Sequence, residues 1–135
     1  MEGAALKAYR GMWGAFAVAA RTADPTSPGL KRYATGEALK IIVKSLAVDR
    51  ERGYVSKGEP VLDPRVSRLK PSGRPVEATV IDCADGTRWL KYHRDSGELV
   101  DDKPGGRHKV TATVKDVGDG VWKVTYFVAE GVGTC

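Results

Sequence analysis

Hydrophobic positions recur at helical spacing in the first fifty residues and then switch to alternation. Leu6, Tyr9, Trp13, Phe16 and Ala20 are three or four residues apart and form one apolar stripe, with Lys7, Arg10 and Arg21 off it, so a helix is predicted from about residue 4. Asp24-Pro25-Thr26-Ser27-Pro28-Gly29 ends that helix, because two prolines in a polar cluster cannot continue the hydrogen-bond ladder. Ser27 followed by Pro28 reads as a cap with proline at the first helical position, opening a short turn through Leu30 to Tyr33. Thr35 offers the next cap, Glu37 suits the positive end of the helix dipole, and Gly53 supplies the stop. Between them Leu39, Ile42, Val43, Leu46 and Arg50 line one side.

Beyond Gly53 the pattern is that of strands. Val61-Leu62 to Leu69 reads as a first strand interrupted by Pro64, and Pro71-Ser-Gly73 as its turn. Val76 to Cys83 sets Val76, Ala78 and Val80 against Glu77, Thr79 and Ile81, which places one side against a core. Ala84-Asp85-Gly86 turns the chain into a strand at Arg88 to His93, and Asp101 to Gly106 forms a polar loop. His108 to Asp116 and Val121 to Ala129 make a hairpin through Val117-Gly118-Asp119-Gly120. The predicted class is α+β: one domain over residues 1–135, with helices over about 4–53 packed on a curved antiparallel sheet over about 54–135.

Composition is compatible with that reading and narrows the partners. A chain of 135 residues with 41% hydrophobic and 29% charged residues is long enough for its own core. The net charge of +5 is spread: Lys31-Arg32, Arg65, Arg68, Lys70, Arg74 and Arg107-His108-Lys109 alternate with acidic residues, which argues against a nucleic-acid footprint. So diffuse a charge reads first as a solvated basic surface, with contact to an anionic headgroup or cell-wall polymer ranked ahead of nucleic acid. No apolar run approaches the roughly 20 residues of a membrane span. Gly11 to Ala20, preceded by Lys7 and Arg10, loosely mimics a signal peptide, but its helical stripe assigns it to the domain. Two His and two Cys match no metal spacing, Cys83 has no patterned base beside it, and Gly105-Gly106 does not open a helix, so no metal, nucleophile, phosphate loop or cofactor is expected.

The strings Lys31-Arg-Tyr-Ala-Thr-Gly-Glu-Ala-Leu39, Lys57-Gly-Glu-Pro-Val61, Asp82-Cys83, Trp89-Leu-Lys-Tyr92, Asp101-Asp-Lys-Pro-Gly-Gly-Arg107 and Val132-Gly-Thr-Cys135, with the order of elements, resemble the nuclear-transport-factor-2-like superfamily. Within it they are similar to actinobacterial secreted proteins and lipoproteins that have no assigned activity. The resemblance implies a cone of helices on a bent sheet (a cystatin-like layout) and an extracytoplasmic location. A signal or lipid anchor would be missing from this sequence, and Met1 would be a start residue from expression.

A cone of this kind often holds an apolar ligand or an active site. Tyr9, Trp13, Tyr33, Trp89, Tyr92 and Tyr126 are the side chains expected near such a pocket, against the plainer reading that they are core. An enzyme would resemble ketosteroid isomerases and polyketide cyclases, with Asp82 or His93 as base and Tyr9 as donor. Asp82, however, reads as a solvated strand end or a partner for Arg88, and Tyr92 and His93 point to opposite faces, so His93 reads as a surface residue. The expectation is therefore a non-catalytic binding or accessory domain for a small apolar ligand or an envelope protein. The alternatives are a pocket enzyme of isomerase, cyclase or dehydratase type, and an interaction domain that, like periplasmic conjugation domains, uses the outer sheet face. Finally, the only two cysteines, Cys83 and Cys135, are expected to pair if the domain is exported, the alternative being two free cytosolic thiols.

Overall fold

The computed structural model describes residues 2–71, 73–101 and 105–135. Ser72, within the expected turn after the first strand, and residues 102–104, within the expected polar loop, lie outside the described residues, as does Met1. Helices α1 (Glu2–Ala20), α2 (Leu30–Tyr33) and α3 (Gly36–Arg52) precede strands β1 (Tyr54–Gly58), β2 (Arg65–Lys70), β3 (Glu77–Asp85), β4 (Trp89–His93), β5 (Arg107–Asp116) and β6 (Trp122–Ala129). The class is α+β, as expected.

Local polar chemistry sets where the helices stop and start, and it differs from the expected caps. After α1, Asp24 Oδ1 accepts hydrogen bonds from the Thr26 N–H at 2.9 Å and the Thr26 hydroxyl at 2.7 Å, and these bonds hold the Asp24 carboxyl below its ordinary range. That turn takes over the role assigned to Ser27 and Pro28, and Gly29 becomes the N-cap of α2 with no side-chain bond. Thr35 is at the N-cap of α3, yet its hydroxyl makes no cap bond; its N–H donates to Val124 O at 3.0 Å and ties the helix start to β6. Gly53 ends α3 at φ 74°, the left-handed conformation that glycine adopts without a Cβ clash. One turn before it, Asp49 is buried and Arg50 exposed, so the expected placement of Arg50 on the core side is corrected by one position.

The strands form two sheets where one was expected. A four-stranded antiparallel sheet has the order β2-β3-β5-β6, and β1 pairs with β4 in a separate ribbon with Tyr54 opposite His93 and Gly58 opposite Trp89. The cause lies at the end of β3, which runs through Ala84 and Asp85 before turning. Asp85 Oδ1 accepts from the Thr87 N–H and hydroxyl at 2.9 and 2.6 Å, and this tight turn sends β4 out of line with β3. Residues Val61-Leu62, expected to begin a strand, form only a bridge in which Val61 and Asp85 exchange bonds of 2.9 Å. Pro64, lacking an N–H, delays β2 to Arg65. On β3 the buried side is Ala78, Val80, Asp82 and Ala84; Val76 precedes the strand and is exposed.

The core lies between the helices and the inner face of the larger sheet. Tyr9, Met12, Ile42, Leu46, Val80, Val110, Val114 and Val124 are its largest fully enclosed side chains, while Leu39, Val43 and Phe16 pack against it from partly buried positions. The chain end is tied back along β5: Glu130 N–H donates to Lys109 O at 2.9 Å, Gly133 N–H to Arg107 O at 2.8 Å, and Lys109 N–H to Thr134 Oγ1 at 2.7 Å. A disulfide then joins Cys135 to Cys83, 52 residues earlier, as expected.

Trp13 is buried against four other rings, so Trp13→Ala is expected to cost about 3–5 kcal/mol and to lower the melting midpoint by about 10 °C or more, read by thermal unfolding. Closing a loop of that length contributes about 4 kcal/mol in the chain-entropy model. Intact-mass measurement after alkylation is expected to label neither cysteine without reductant and both with it. Chemical denaturation of the reduced, alkylated chain reads the stability difference.

Candidate functional site

Two polar arrangements occupy the interior, and they are chemically distinct. The first is enclosed. Tyr9 from α1 donates its hydroxyl to Asp82 Oδ2 at 2.7 Å, and Asp82 Oδ1 accepts the Asp63 N–H at 2.7 Å. Tyr9 is 0% and Asp82 2% exposed, so Asp82 is neither the solvated strand end nor the Arg88 partner that its place near a turn suggested. Its position two residues after Val80 puts it on the inward side of β3, and Tyr9 reaches down from the helix to meet it. Burial, then the bond to Asp82 and its charge, pushes the Tyr9 hydroxyl well above the ordinary tyrosine value, against smaller opposing effects of Trp13 and Arg10. At neutral pH that hydroxyl holds its proton and donates it to a fixed acceptor, which braces α1 against β3 and the Asp63 loop.

The second arrangement is open. A pocket of about 250 Å³ lies where α1, α3, the β1–β4 ribbon and the end of β6 converge. Its wall is aromatic: Trp13 and Phe16 stack at 5.8 Å, Trp89 meets both edge-on at 6.0 and 5.1 Å, and Phe127 meets Trp13 at 5.5 Å. Its rim is polar, formed by Ser45 and Asp49 of α3, Ser56 of β1 and Lys91 of β4, with Ile41 and Ala129 completing it. Lys91 Nζ pairs with Asp49 Oδ1 at 3.0 Å; the Asp49 side chain is 8% exposed and that of Lys91 49%. The indole N–H groups of Trp13 and Trp89 are buried and meet no hydrogen-bond acceptor among the described residues. Such a site can hold an apolar group on the rings while the ammonium and hydroxyls address its polar end.

The periodicities explain how the pocket assembles. Ile41, Ser45 and Asp49 recur every four residues on one stripe of α3, and Trp13 and Phe16 share a face of α1. Trp89 and Lys91 alternate on one side of β4, and Phe127 and Ala129 on one side of β6.

Of the six aromatics expected at a pocket, the structure brings two together there, Trp13 and Trp89. Tyr9 lies behind Trp13, edge-on at 6.4 Å, inside the core. Tyr33 packs on the opposite side of α1, where its ring lies against Gly11 so closely that a Cβ there would come within 2.5 Å of it. Tyr92, on the reverse face of β4 from Trp89, carries Lys57 Nζ 4.7 Å above its ring. Tyr126 is 47% exposed on the outer sheet face, because a register shift in β6 between Val124 and Tyr126 moves the inward position to Phe127. His93 is exposed and meets the Tyr54 ring at 5.3 Å, apart from Asp82. The expected base and donor, Asp82 and Tyr9, do meet, but as partners of one another. Ser45, Asp49, Ser56, Lys91 and Phe127 were not singled out, although the four-residue repeat on α3 and the Trp89–Lys91 alternation carried that signal. Among the described residues no group of three or more His, Cys, Asp or Glu is placed to hold a metal ion, and no helix is long and apolar enough to cross a membrane.

No family model matches the chain, and no curated protein does. Among solved structures it is similar to the crystal structure of the intermembrane space region of the chloroplast protein ARC6, at 17% identity over 97% of each chain with a TM-score of 0.61. At that identity the likeness establishes a shared fold.

Because Tyr9 titrates higher in the folded state than unfolded, its contribution is complete below the ordinary tyrosine value of about 10 and falls away as the pH rises above it. Urea denaturation from pH 8 to 11 is therefore expected to show wild-type stability declining more steeply above pH 10 than that of Tyr9→Phe. At pH 8 the variant should be about 1–3 kcal/mol weaker, since Asp82 then loses a buried donor.

Proposed function

We propose that this chain is an extracytoplasmic, non-catalytic binding module of the nuclear-transport-factor-2-like type, which takes an apolar group into the aromatic pocket beneath the Asp49–Lys91 pair. The observation that carries the reading is that pocket: four rings from three elements, arranged edge-on and stacked, with a half-exposed cation at the rim. The superfamily reading is supported by helices packed on one face of an antiparallel sheet and by the resemblance of the sequence strings. The location rests on the Cys83–Cys135 bridge, since disulfides persist in oxidising compartments. That the similar ARC6 segment is itself an intermembrane-space region fits the same picture.

The non-catalytic part of the reading is supported by the arrangement of the best acid–base candidates. Tyr9 and Asp82 bond to each other, the second Asp82 oxygen is taken by the Asp63 N–H, and His93 stands apart on the surface. A carboxylate base needs a substrate proton within about 3 Å, and neither Tyr9 nor Asp82 lines the aromatic pocket.

Titration with indole, followed by amide and indole proton shifts, tests the pocket. Indole is expected to shift the Trp89, Phe127 and Ser45 signals, and Trp89→Ala to weaken binding about tenfold, a loss of roughly 1.4 kcal/mol. Absence of any shift in those signals at millimolar indole overturns the binding reading. Isomerase, cyclase or dehydratase turnover that disappears in Asp82→Asn overturns its non-catalytic part.

A further inference from the structure

The aromatic pocket lies directly beside a stretch of sheet edge that meets no other main chain among the described residues. Glu130 N–H donates inward to Lys109 O, so in the antiparallel ladder of β5 and β6 the inward-bonded positions are Glu130, Val128 and Tyr126. Phe127 and Ala129, opposite Ala112 and Val110, therefore direct their N–H and C=O groups away from β5, toward the open edge. Upstream, that edge is closed where Val124 O accepts the Thr35 N–H; downstream, the tail turns in along β5. Among the described residues no main-chain hydrogen bond reaches the outer side of Phe127 or Ala129. The same two residues line the pocket with their side chains.

Pocket volume and charge indicate what would fill this gap. At about 250 Å³ the cavity is below the usual range for small-molecule sites and suits one bulky side chain. Lys91 is half exposed at the rim and, among the described residues, pairs with Asp49 through one of its three donor hydrogens, which leaves donors for a second carboxylate. On an extended chain, side chains two residues apart lie on the same face about 7 Å from one another, so an acidic residue two positions from the buried one can reach the rim.

Resting on the pocket reading above, we propose that the occupant is an extended segment of a partner protein. It adds as a short strand to β6 at Phe127 and Ala129, inserts one bulky apolar side chain between Trp89 and Phe127, and places an acidic side chain on Lys91. Main-chain bonds supply the alignment, and the pocket and the cation supply the selectivity.

The test uses the full disulfide-bonded chain and a phage-displayed library of random heptapeptides, with enriched peptides resynthesised with capped ends. Enriched peptides are expected to carry one bulky apolar residue with Asp or Glu two positions away, and to shift the Phe127 and Ala129 amides. N-methylation of the peptide at the residues facing them should weaken binding tenfold or more. So should Ala129→Pro, which removes an outward N–H and leaves the β5 ladder intact. Should that variant fold poorly, the N-methylated peptide carries the same test with the protein unaltered. Peptides that tolerate both changes, or that shift β2 in place of β6, overturn the strand-addition proposal. If indole shifts Trp89 and Phe127 but no peptide enriches over a Trp89→Ala control, the proposal falls and the pocket reading stands; if neither indole nor any peptide binds, both fall.

Discussion

The packing of rings around Trp13 is the contact on which the two sheets depend. Among the described residues the β1–β4 ribbon shares no ladder with the larger sheet; the segment after β1 reaches β3 through the isolated Val61–Asp85 bridge. An isolated two-stranded ribbon is marginal in water, so it must bury a face elsewhere. It does so through Trp89, which meets Trp13 and Phe16 edge-on, while Phe127 brings the end of β6 to the same indole. Edge-to-face geometry favours each of these pairs beyond the area they bury. One helical residue thus holds a strand of each sheet, β4 and β6, against α1, and the pocket is the space left between them.

That gap persists because each of its boundaries is fixed by a different polar contact. Thr35 gives its N–H to Val124 and pins the start of α3 to β6. The tail bonds inward to β5 and is held by the bridge between Cys135 and Cys83, so it cannot continue β6 outward. Asp49 and Lys91 join α3 to β4 across the mouth. An unpaired edge of two residues is short enough to escape the aggregation hazard of a long edge strand.

The legible and the illegible parts of this molecule differ in kind. Helix periodicity, the Gly53 stop, the hairpin through residues 117–120 and the pairing of the two cysteines could all be read along the chain, because each is set by local chemistry or by the absence of an alternative partner. The split into two sheets was not, because it follows from how the Asp85–Thr87 turn redirects the backbone in space. Tyr126 was misassigned by one position because a bulge inserts a residue that strict alternation does not anticipate. Asp82 beside Cys83 and a turn looked solvated, and only the descent of Tyr9 from a distant helix makes its burial tolerable. The rim of the pocket was hidden for a similar reason: Asp49 and Lys91 are 42 residues apart, and each alone is an ordinary charge on an amphipathic element.

The two polar pairs also differ in what they leave unsatisfied, and that difference separates brace from site. A buried polar group is costly unless its bonds are complete. Tyr9, Asp82 and the Asp63 N–H satisfy one another in a closed set, so any ligand would have to break existing bonds in order to enter. At the mouth the accounting is open: among the described residues Lys91 has one acceptor for three donor hydrogens, and Phe127 and Ala129 have outward main-chain groups that meet no other main chain. Recognition that leaves the fold intact can occur only where donors and acceptors are free without disruption. In this chain those groups gather along one short edge, beside the one aromatic pocket whose rings come from both sheets and from α1.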